Sequence, residues 1–326
     1  MRAVVASKIS ADAPADAVEV VDRADLVPGP GQVLVTVRAA SLNHHDLWAL
    51  RGVGVSEDRL PMVLGSDVAG VTEDGREVVV HALVADPDRG HGDELLDPRR
   101  GMLADALQGG LAERVVVPER NLVDKPASLS FEQAACLPTA WLTAYRMLFV
   151  RGAARPGQTV LVQGASGGVA TAAIVLGRSA GLRVQVTGRT PEKLEKARAL
   201  GADGCFGSGE RLPERVDLVI DTVGGPTWEH SLRSVRPGGT VVVAGATAGA
   251  AVRTDLFRLF LQHITVHGSA MGRIEELRDL LALCEARGVV PHVDSVFGLE
   301  RAPEAFAKLA AGEAFGKVVI VPEAVA

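Results

Sequence analysis

The sequence is poor in cysteine. Cys136, Cys205 and Cys284 stand alone among 326 residues and no C-x-x-C pair occurs. That excludes a disulfide framework and a cysteine zinc cluster. It also lacks an apolar run long enough to span a membrane. Its first residues, MRAVVA, have neither the apolar core nor the cleavage pattern of a secretory leader. A reducing cytoplasm is the expected location. Positive charge is not in excess: 34 Lys and Arg face 40 Asp and Glu, a net charge of −6, which argues against a nucleic-acid or anionic-membrane partner. Aromatic residues amount to 4%, and the single tyrosine, Tyr145, falls in a helical Thr-Ala-Tyr stretch, where it reads as packing rather than as a proton donor. Internal repeats and low-complexity tracts are missing as well. What is present, 47% hydrophobic and 23% charged, is the balance of a globular chain long enough for two domains.

The most informative stretch is residues 159–174, TVLVQGASGGVATAAI. A short apolar run predicts a buried parallel strand. Gly164, Gly167 and Gly168 then predict a turn into a small-residue helix reaching Ala180. Residues 165–170 match the dinucleotide fingerprint G-x-G-x-x-G/A, with alanine in its first and last places. A side chain at Gly167 would hold the backbone away from a pyrophosphate, and the helix start offers that anion free N–H groups and a positive dipole end. Ser166, Gly167, Gly168 and Val169 are therefore candidate cofactor ligands.

About twenty residues further on, an acidic residue would select NAD through the ribose 2′-hydroxyl. None stands there: the run is Thr187, Gly188, Arg189, Thr190. Arg189 offers a planar donor fork and Lys193 a second cation, both suited to a 2′-phosphate dianion, so NADPH is the expected cofactor. The competing reading makes both residues ordinary solvated charges.

Taken in order, residues 1–123 read as short strands and turns, which predicts a partly closed β-barrel. Strands are expected at 1–7, 32–40, 67–72, 77–84 and 111–118, with a charged, looped excursion at 86–110. Ser130 and Gln133 make a capping box, and helical spacing then runs to about Val150. From there strand and helix patterns alternate, with strands near 160, 183–187, 216–221, 240–244 and 264–268, which predicts a doubly wound parallel sheet. The tail (helix 274–287, strand 293–297, helix 303–311, strand 317–321) is expected to fold back onto the first domain. The expected division is 1–123 with 266–326 against 124–265, with a cleft between the two.

Several local runs now combine: NHHD at 43–46, LGSDVAG at 64–70, GGLAE at 109–113, LPTAWLTAY at 137–145, the glycine turn, DTVGG at 221–225 and FGK at 315–317. Together they resemble the medium-chain dehydrogenase/reductase superfamily, specifically its zinc-independent, quinone-oxidoreductase-like branch, over nearly the whole chain. The resemblance implies an α/β protein with a GroES-like barrel joined to a Rossmann domain. In zinc alcohol dehydrogenases of that superfamily a Cys, a His-Glu pair and a second Cys surround the catalytic zinc. Asn43, Ser66 with Asp67, and about Thr139 occupy those positions here, and none of Asn43, Ser66 or Thr139 is a good zinc ligand. The lobe that carries four cysteines in those enzymes corresponds to 86–110, which has none. The expectation is no metal; a rival grouping of His44, His45, Asp46, His81 and His91 matches no metal motif.

Without a Lewis acid, hydride transfer is easiest to a conjugated acceptor, whose oxygen takes the charge as an enolate. The expected activity is NADPH-dependent reduction of a small-molecule quinone or α,β-unsaturated carbonyl compound. A metal-independent alcohol or carbonyl oxidoreductase and a non-catalytic NADPH-binding protein remain open. By resemblance Asn43 and Thr143 would lie near the nicotinamide, and Asp46 is a further catalytic candidate. Val223, Ala244, Gly245, Ala246, Ala270, Met271, Gly316 and Lys317 would line the cofactor groove. Ser208 stands where many quinone reductases have an adenine-side tyrosine. Trp48 and Trp141 would wall the substrate pocket. The tyrosine of some enoyl-thioester reductases is matched by Gly54 or a neighbour. Structural readings stand beside these: Asn43 as a cap, Thr143 bonded to its own helix, Asp46 as a loop brace, Trp48 as core and Asp67 as an internal carboxylate. A homodimer is expected through a sheet edge at 240–244 and the segment after it.

Overall fold

The structure, a computed structural model, describes residues 1–322; residues 323–326, the end of the expected tail segment, lie outside the described residues. Two units separate, one made of Met1–Ala140 with residues 273 onward, the other of Trp141–Gly272. The division differs from the expected one at both junctions, for local reasons. Strand Leu122–Asp124 pairs with Glu77–Val80, and the helical turn Phe131–Ala134 packs on strands Gln32–Ser41 and Asp67–Thr72, so 124–140 stay with the first unit. Strand Thr265–Gly268 pairs with Val235–Val243 and stays with the second.

In the first unit the long strand Gln32–Ser41 is the centre of a seven-stranded sheet of the described residues. It pairs antiparallel with Asp67–Thr72 on one side, and with Arg114–Pro118 and Lys317–Val321 on the other. The tail strand thus reaches the N-terminal sheet. A second sheet pairs Arg2–Ala6 with Val18–Asp22 and Met62–Val63. Val18–Asp22 is a strand that the sequence reading passed over, because VEVVD alternates only weakly. β-Branched side chains supply the core, Val4, Val35, Val37, Val68 and Val115 among them, closed by Leu50 and Phe306. The 86–110 excursion is held by Asp97, fully buried, which accepts from Asp86 N at 2.7 Å, from Arg99 N at 2.8 Å and from the Arg89 guanidinium.

The second unit is a six-stranded parallel sheet in the order Gly204–Gly207, Arg183–Gly188, Thr159–Val162, Val216–Asp221, Val235–Val243, Thr265–Gly268. In chain order this is 3-2-1-4-5-6, the doubly wound arrangement whose ligands sit beyond the strand ends at the switch between its first and fourth strands. Thr159–Val162 is buried at every position, as a central strand covered on both faces requires. The strand expected at an edge, 240–244, is internal: Thr240–Val243 lie between Leu218–Asp221 and Thr265–Gly268. Among the described residues the sheet ends at Thr265–Gly268 on that side and at Gly204–Gly207 on the other.

The helix expected from Ser130 to about Val150 is broken up. After Phe131–Ala134 the chain makes a π-helical turn, Leu137–Trp141, then an α-turn, Leu142–Tyr145, then a second π-turn, Arg146–Arg151. Pro138 lacks the N–H that would continue the first helix, which favours the wider turn after it. No helix of the described residues is long and apolar enough to cross a membrane.

Candidate functional site

In the first unit the site is built where strand Gln32–Ser41 gives way to helix His44–Leu50. Asn43 is the residue before the helix, and its N–H donates to Asp46 Oδ2 at 2.8 Å. Asp46 Oδ1 accepts from Gly65 N at 2.8 Å. Gly65 has φ +92°, and a Cβ there would meet Leu111 Cγ at 2.5 Å, so the turn that presents Ser66 and Asp67 admits only glycine. Asp46 is fully buried. Burial raises its pKa, opposed by His45 and by the two amide bonds. With each oxygen taken by a backbone amide, Asp46 is a brace between two loops.

The next ring of contacts joins residues far apart in the chain. Asp67 Oδ2 accepts from Ser41 Oγ at 2.8 Å, Asn43 Nδ2 at 2.8 Å and Lys317 Nζ at 3.1 Å. Lys317 Nζ also donates to Leu42 O at 2.8 Å and to Asn43 Oδ1 at 2.6 Å. Both charged side chains are sealed from solvent, at 2% and 0% exposure. The Lys317 ammonium thus makes three bonds inside its own unit. The Asn43 amide faces Lys317, Asp67 and Ser66.

Asn43, Ser66 and Thr139, the positions matched to zinc ligands by resemblance, do converge: Asn43 Nδ2 lies 3.3 Å from Ser66 Oγ, and Ser66 Oγ lies 3.3 Å from Thr139 Oγ1. An amide and two hydroxyls, beside a lysine ammonium, do not fit Zn²⁺, which takes thiolate, imidazole or carboxylate. Among the described residues no three His, Cys, Asp or Glu side chains are grouped to hold an ion.

His45 Nε2 lies 3.6 Å from Asp105 Oδ2. Burial alone would lower the His45 pKa, but the bond to Asp105 and the charges of Asp46, Asp105 and Asp67 hold it above the ordinary histidine value. Burial pushes Asp105 up, and His45 together with the Met102 and Ala106 amides brings it below the usual carboxylate range. The raised histidine contributes stability below about pH 6.5, lost as pH rises through its folded pKa. The depressed carboxylate contributes above about pH 4, lost as pH falls through its folded pKa. A double-mutant cycle of His45→Gln and Asp105→Asn is expected to give a coupling of about 1 kcal/mol at pH 5.5 and none at pH 9. Equal coupling at both values in urea titrations would remove the ion pair from the account.

In the second unit the predicted cofactor residues gather at the strand ends. Gly164 follows Thr159–Val162 and Gly168 opens helix Gly168–Ser179, whose first-turn N–H groups have no intrahelical acceptor. Thr171 Oγ1 donates to Gly167 O at 3.2 Å and holds the turn. An ideal Cβ on Gly167 would meet nothing within 4 Å, so packing does not demand glycine there. The opening suits an anion against the helix start. Ser208 N donates to Gly188 O at 3.0 Å, which brings Ser208 beside Gly188 and the exposed Arg189, with Lys193 one turn into helix Pro191–Leu200. Val223 lies against Gly164, and the 244–246 segment packs on Thr222, with Ala244 N donating to Asp221 O at 3.1 Å. Ala270 and Met271, the latter with φ +51°, follow the edge strand.

Thr143 is buried in helix Leu142–Tyr145, in this unit and not in that of Asn43. Trp48 is half-buried, but Trp141 is completely buried, and its indole N–H meets no acceptor among the described residues. Gly316, with φ +99°, packs on His292 O and immediately precedes the tail strand.

The sequence reading gave no role to two polar groups that set these strand ends, Gln163 and Asp221. Gln163 Nε2 bonds to His230 Nδ1 at 2.9 Å and to Ser231 Oγ at 3.0 Å, and its Oε1 accepts from Thr187 Oγ1 at 2.7 Å. Asp221 Oδ1 accepts from Val223 N at 2.9 Å and Gly224 N at 3.0 Å. The signal was available: each is a polar residue ending an apolar parallel strand, where a buried side chain must find partners.

Comparison with known proteins adds the following. Residues 29–127 match the alcohol dehydrogenase GroES-like domain, and residues 200–320 match a family described as zinc-binding dehydrogenase. The chain is 31% identical to a zinc-type alcohol dehydrogenase-like protein of Schizosaccharomyces pombe, over 89% of this chain and 91% of that one. The crystal structure of an NAD-dependent alcohol dehydrogenase is similar at TM-score 0.91 and 34% identity, over 99% of this chain and 100% of that one. A crotonyl-CoA carboxylase/reductase in complex with NADP is similar at TM-score 0.90 and 26% identity, over 100% of this chain and 95% of that one.

Proposed function

The chain belongs to the medium-chain dehydrogenase/reductase superfamily, oxidoreductases that take a nicotinamide cofactor, and on that premise we propose that it is an NADPH-dependent, zinc-independent reductase of a quinone or an α,β-unsaturated carbonyl compound. One observation carries the reading. The three positions where zinc relatives place metal ligands hold Asn43, Ser66 and Thr139, bonded to one another and to the Lys317–Asp67 pair. Such a donor set leaves no Lewis acid for a simple alcohol and favours an acceptor whose oxygen needs hydrogen bonds only.

Bound NADPH supplies the hydride. The chain's own part is to hold it: the 166–169 backbone takes the pyrophosphate, and Arg189 with Lys193 takes the 2′-phosphate. The NADP complex of the crotonyl-CoA carboxylase/reductase supports both the cofactor and a conjugated acceptor. The similar NAD-dependent enzyme makes cofactor choice the first matter to test. Arg189→Ala is expected to raise the Kd for NADPH about 10- to 100-fold, the loss of one charge-assisted contact, and to leave that for NADH unchanged. Calorimetry giving equal losses for both nucleotides would refute the assignment.

The reaction is tested by NADPH oxidation with a panel of quinones, enones and enoyl thioesters, with and without chelator. Turnover unaffected by chelator is the expected result. No turnover on any class, or activity that follows stoichiometric zinc, counts against the proposal.

We further propose that a second copy of the chain pairs with the edge strand Thr265–Gly268. Beside that strand in the sequence, helix Leu256–Leu261 leaves Leu256, Phe257, Phe260 and Leu261 between 57% and 71% exposed. An open strand edge and an apolar patch are liabilities in a lone chain. Light scattering should give twice the chain mass, and Phe257→Asp with Phe260→Asp should give the monomer. A monomeric wild-type protein at micromolar concentration would overturn this.

A further inference from the structure

We infer that the Thr139 hydroxyl is the group that donates to the substrate oxygen, at the end of a polarised chain that starts on the buried Lys317 ammonium. The inference rests on the reductase reading above and names the residue that reading leaves open. Its first step is the orientation of Asn43. An ammonium has donors only, so the atom 2.6 Å from Lys317 Nζ must be the amide oxygen, and Nδ2 must face the other way. Nδ2 donates to Asp67 Oδ2 at 2.8 Å and to Ser66 Oγ at 3.3 Å. Ser66 is fully buried and its Oγ already receives a proton from Asn43. A buried hydroxyl also gives its own proton, and the partner within reach is Thr139 Oγ1 at 3.3 Å. Thr139 Oγ1 is therefore the acceptor of that contact, and its own proton points elsewhere.

Two features keep that proton from being absorbed locally. In a regular helix a threonine bonds back to the carbonyl four residues earlier. Here Thr139 lies in the π-turn Leu137–Trp141 rather than in a regular helix, a distortion that recurs at functional sites. Thr139 is also the half-buried member of an otherwise buried chain, Lys317, Asn43, Ser66 and Thr139. Each bond in a one-way chain strengthens the next. The positive charge thus acts on the acceptor oxygen through an amide and two hydroxyls rather than through a coordinated ion. Thr139 touches the substrate; Ser66, Asn43 and Lys317 position and polarise it.

The test compares wild type, Thr139→Val and Thr139→Ser, each with NADPH and a conjugated acceptor. Thr139→Val should lower kcat about 10²- to 10³-fold, the loss of one preorganised oxyanion donor, with KM and the NADPH Kd changed less than about threefold. Thr139→Ser should restore most of the rate. Thr139→Val at more than half the wild-type kcat overturns the inference. A second readout does not need turnover: binding of p-nitrophenolate to the NADP⁺-loaded protein, followed by its absorbance. Wild type and Thr139→Ser should bind it and lower the phenol's pKa, and Thr139→Val should bind it at least about tenfold more weakly, the loss of one charge-assisted hydrogen bond. Equal binding by all three, or none by wild type, overturns the inference. Absence of turnover by wild type with every acceptor sinks the reductase reading alone, and the phenolate measurement still decides Thr139.

Discussion

Lys317→Met is expected to destabilise the protein by about 3–5 kcal/mol, the cost of leaving one member of a buried ion pair without its partner. For a unit of this size that corresponds to a fall in the midpoint of thermal unfolding of about 6–20 °C. The physical cause is the Asp67 carboxylate. It sits fully buried, and Lys317 Nζ at 3.1 Å is the cation beside it. Removing the ammonium leaves the charge in place, withdraws a donor from Leu42 O and frees Asn43 Oδ1. The double variant Lys317→Met with Asp67→Leu carries no stranded charge and should recover part of the loss, even though it has lost more polar contacts. Calorimetric scans of the two variants separate the cases. A single variant within about 2 °C of wild type would mean that Asp67 is not held as an ion by Lys317.

Gly167→Val should fold with an unchanged unfolding midpoint and bind NADPH at least about 10²-fold more weakly. Stability is expected to hold because a Cβ at this position meets nothing within 4 Å and the backbone, at φ −70°, is open to any residue. Affinity is expected to fall because the side chain enters the opening in front of the helix start. Two charge-assisted contacts from backbone N–H to phosphate, each worth about 1.5–3 kcal/mol, would be lost together. Fluorescence titration with NADPH, set beside a thermal scan, measures both. A variant that binds normally would place the pyrophosphate elsewhere, and one that unfolds early would show that the glycine serves packing after all.

How far the sequence reached depended on the range of the interaction. The glycine turn, the helix Ile274–Arg287, the strand Val216–Asp221 and the tail strand Lys317–Val321 were legible because their signals lie within a few residues: a period, a cap or a breaker. Val18–Asp22 was missed because a weak alternation becomes a strand only when Arg2–Ala6 pairs with it. The edge assigned to 240–244 was misplaced by one strand, because nothing local tells an inner parallel strand from an outer one.

The sequence by itself determined that this is an α/β chain with a dinucleotide turn, an arginine rather than an acidic residue about twenty positions on, and neither cysteine nor histidine where zinc relatives carry their ligands. Those properties live in single residues and short spacings. Only the tertiary structure decided that Lys317 closes on Asn43 across 274 positions of chain, that Asp46 braces Gly65, and that the Ser66 and Thr139 hydroxyls meet at 3.3 Å. Hydrogen-bond direction is set by every neighbour at once, and those neighbours are brought together by folding rather than by order along the chain.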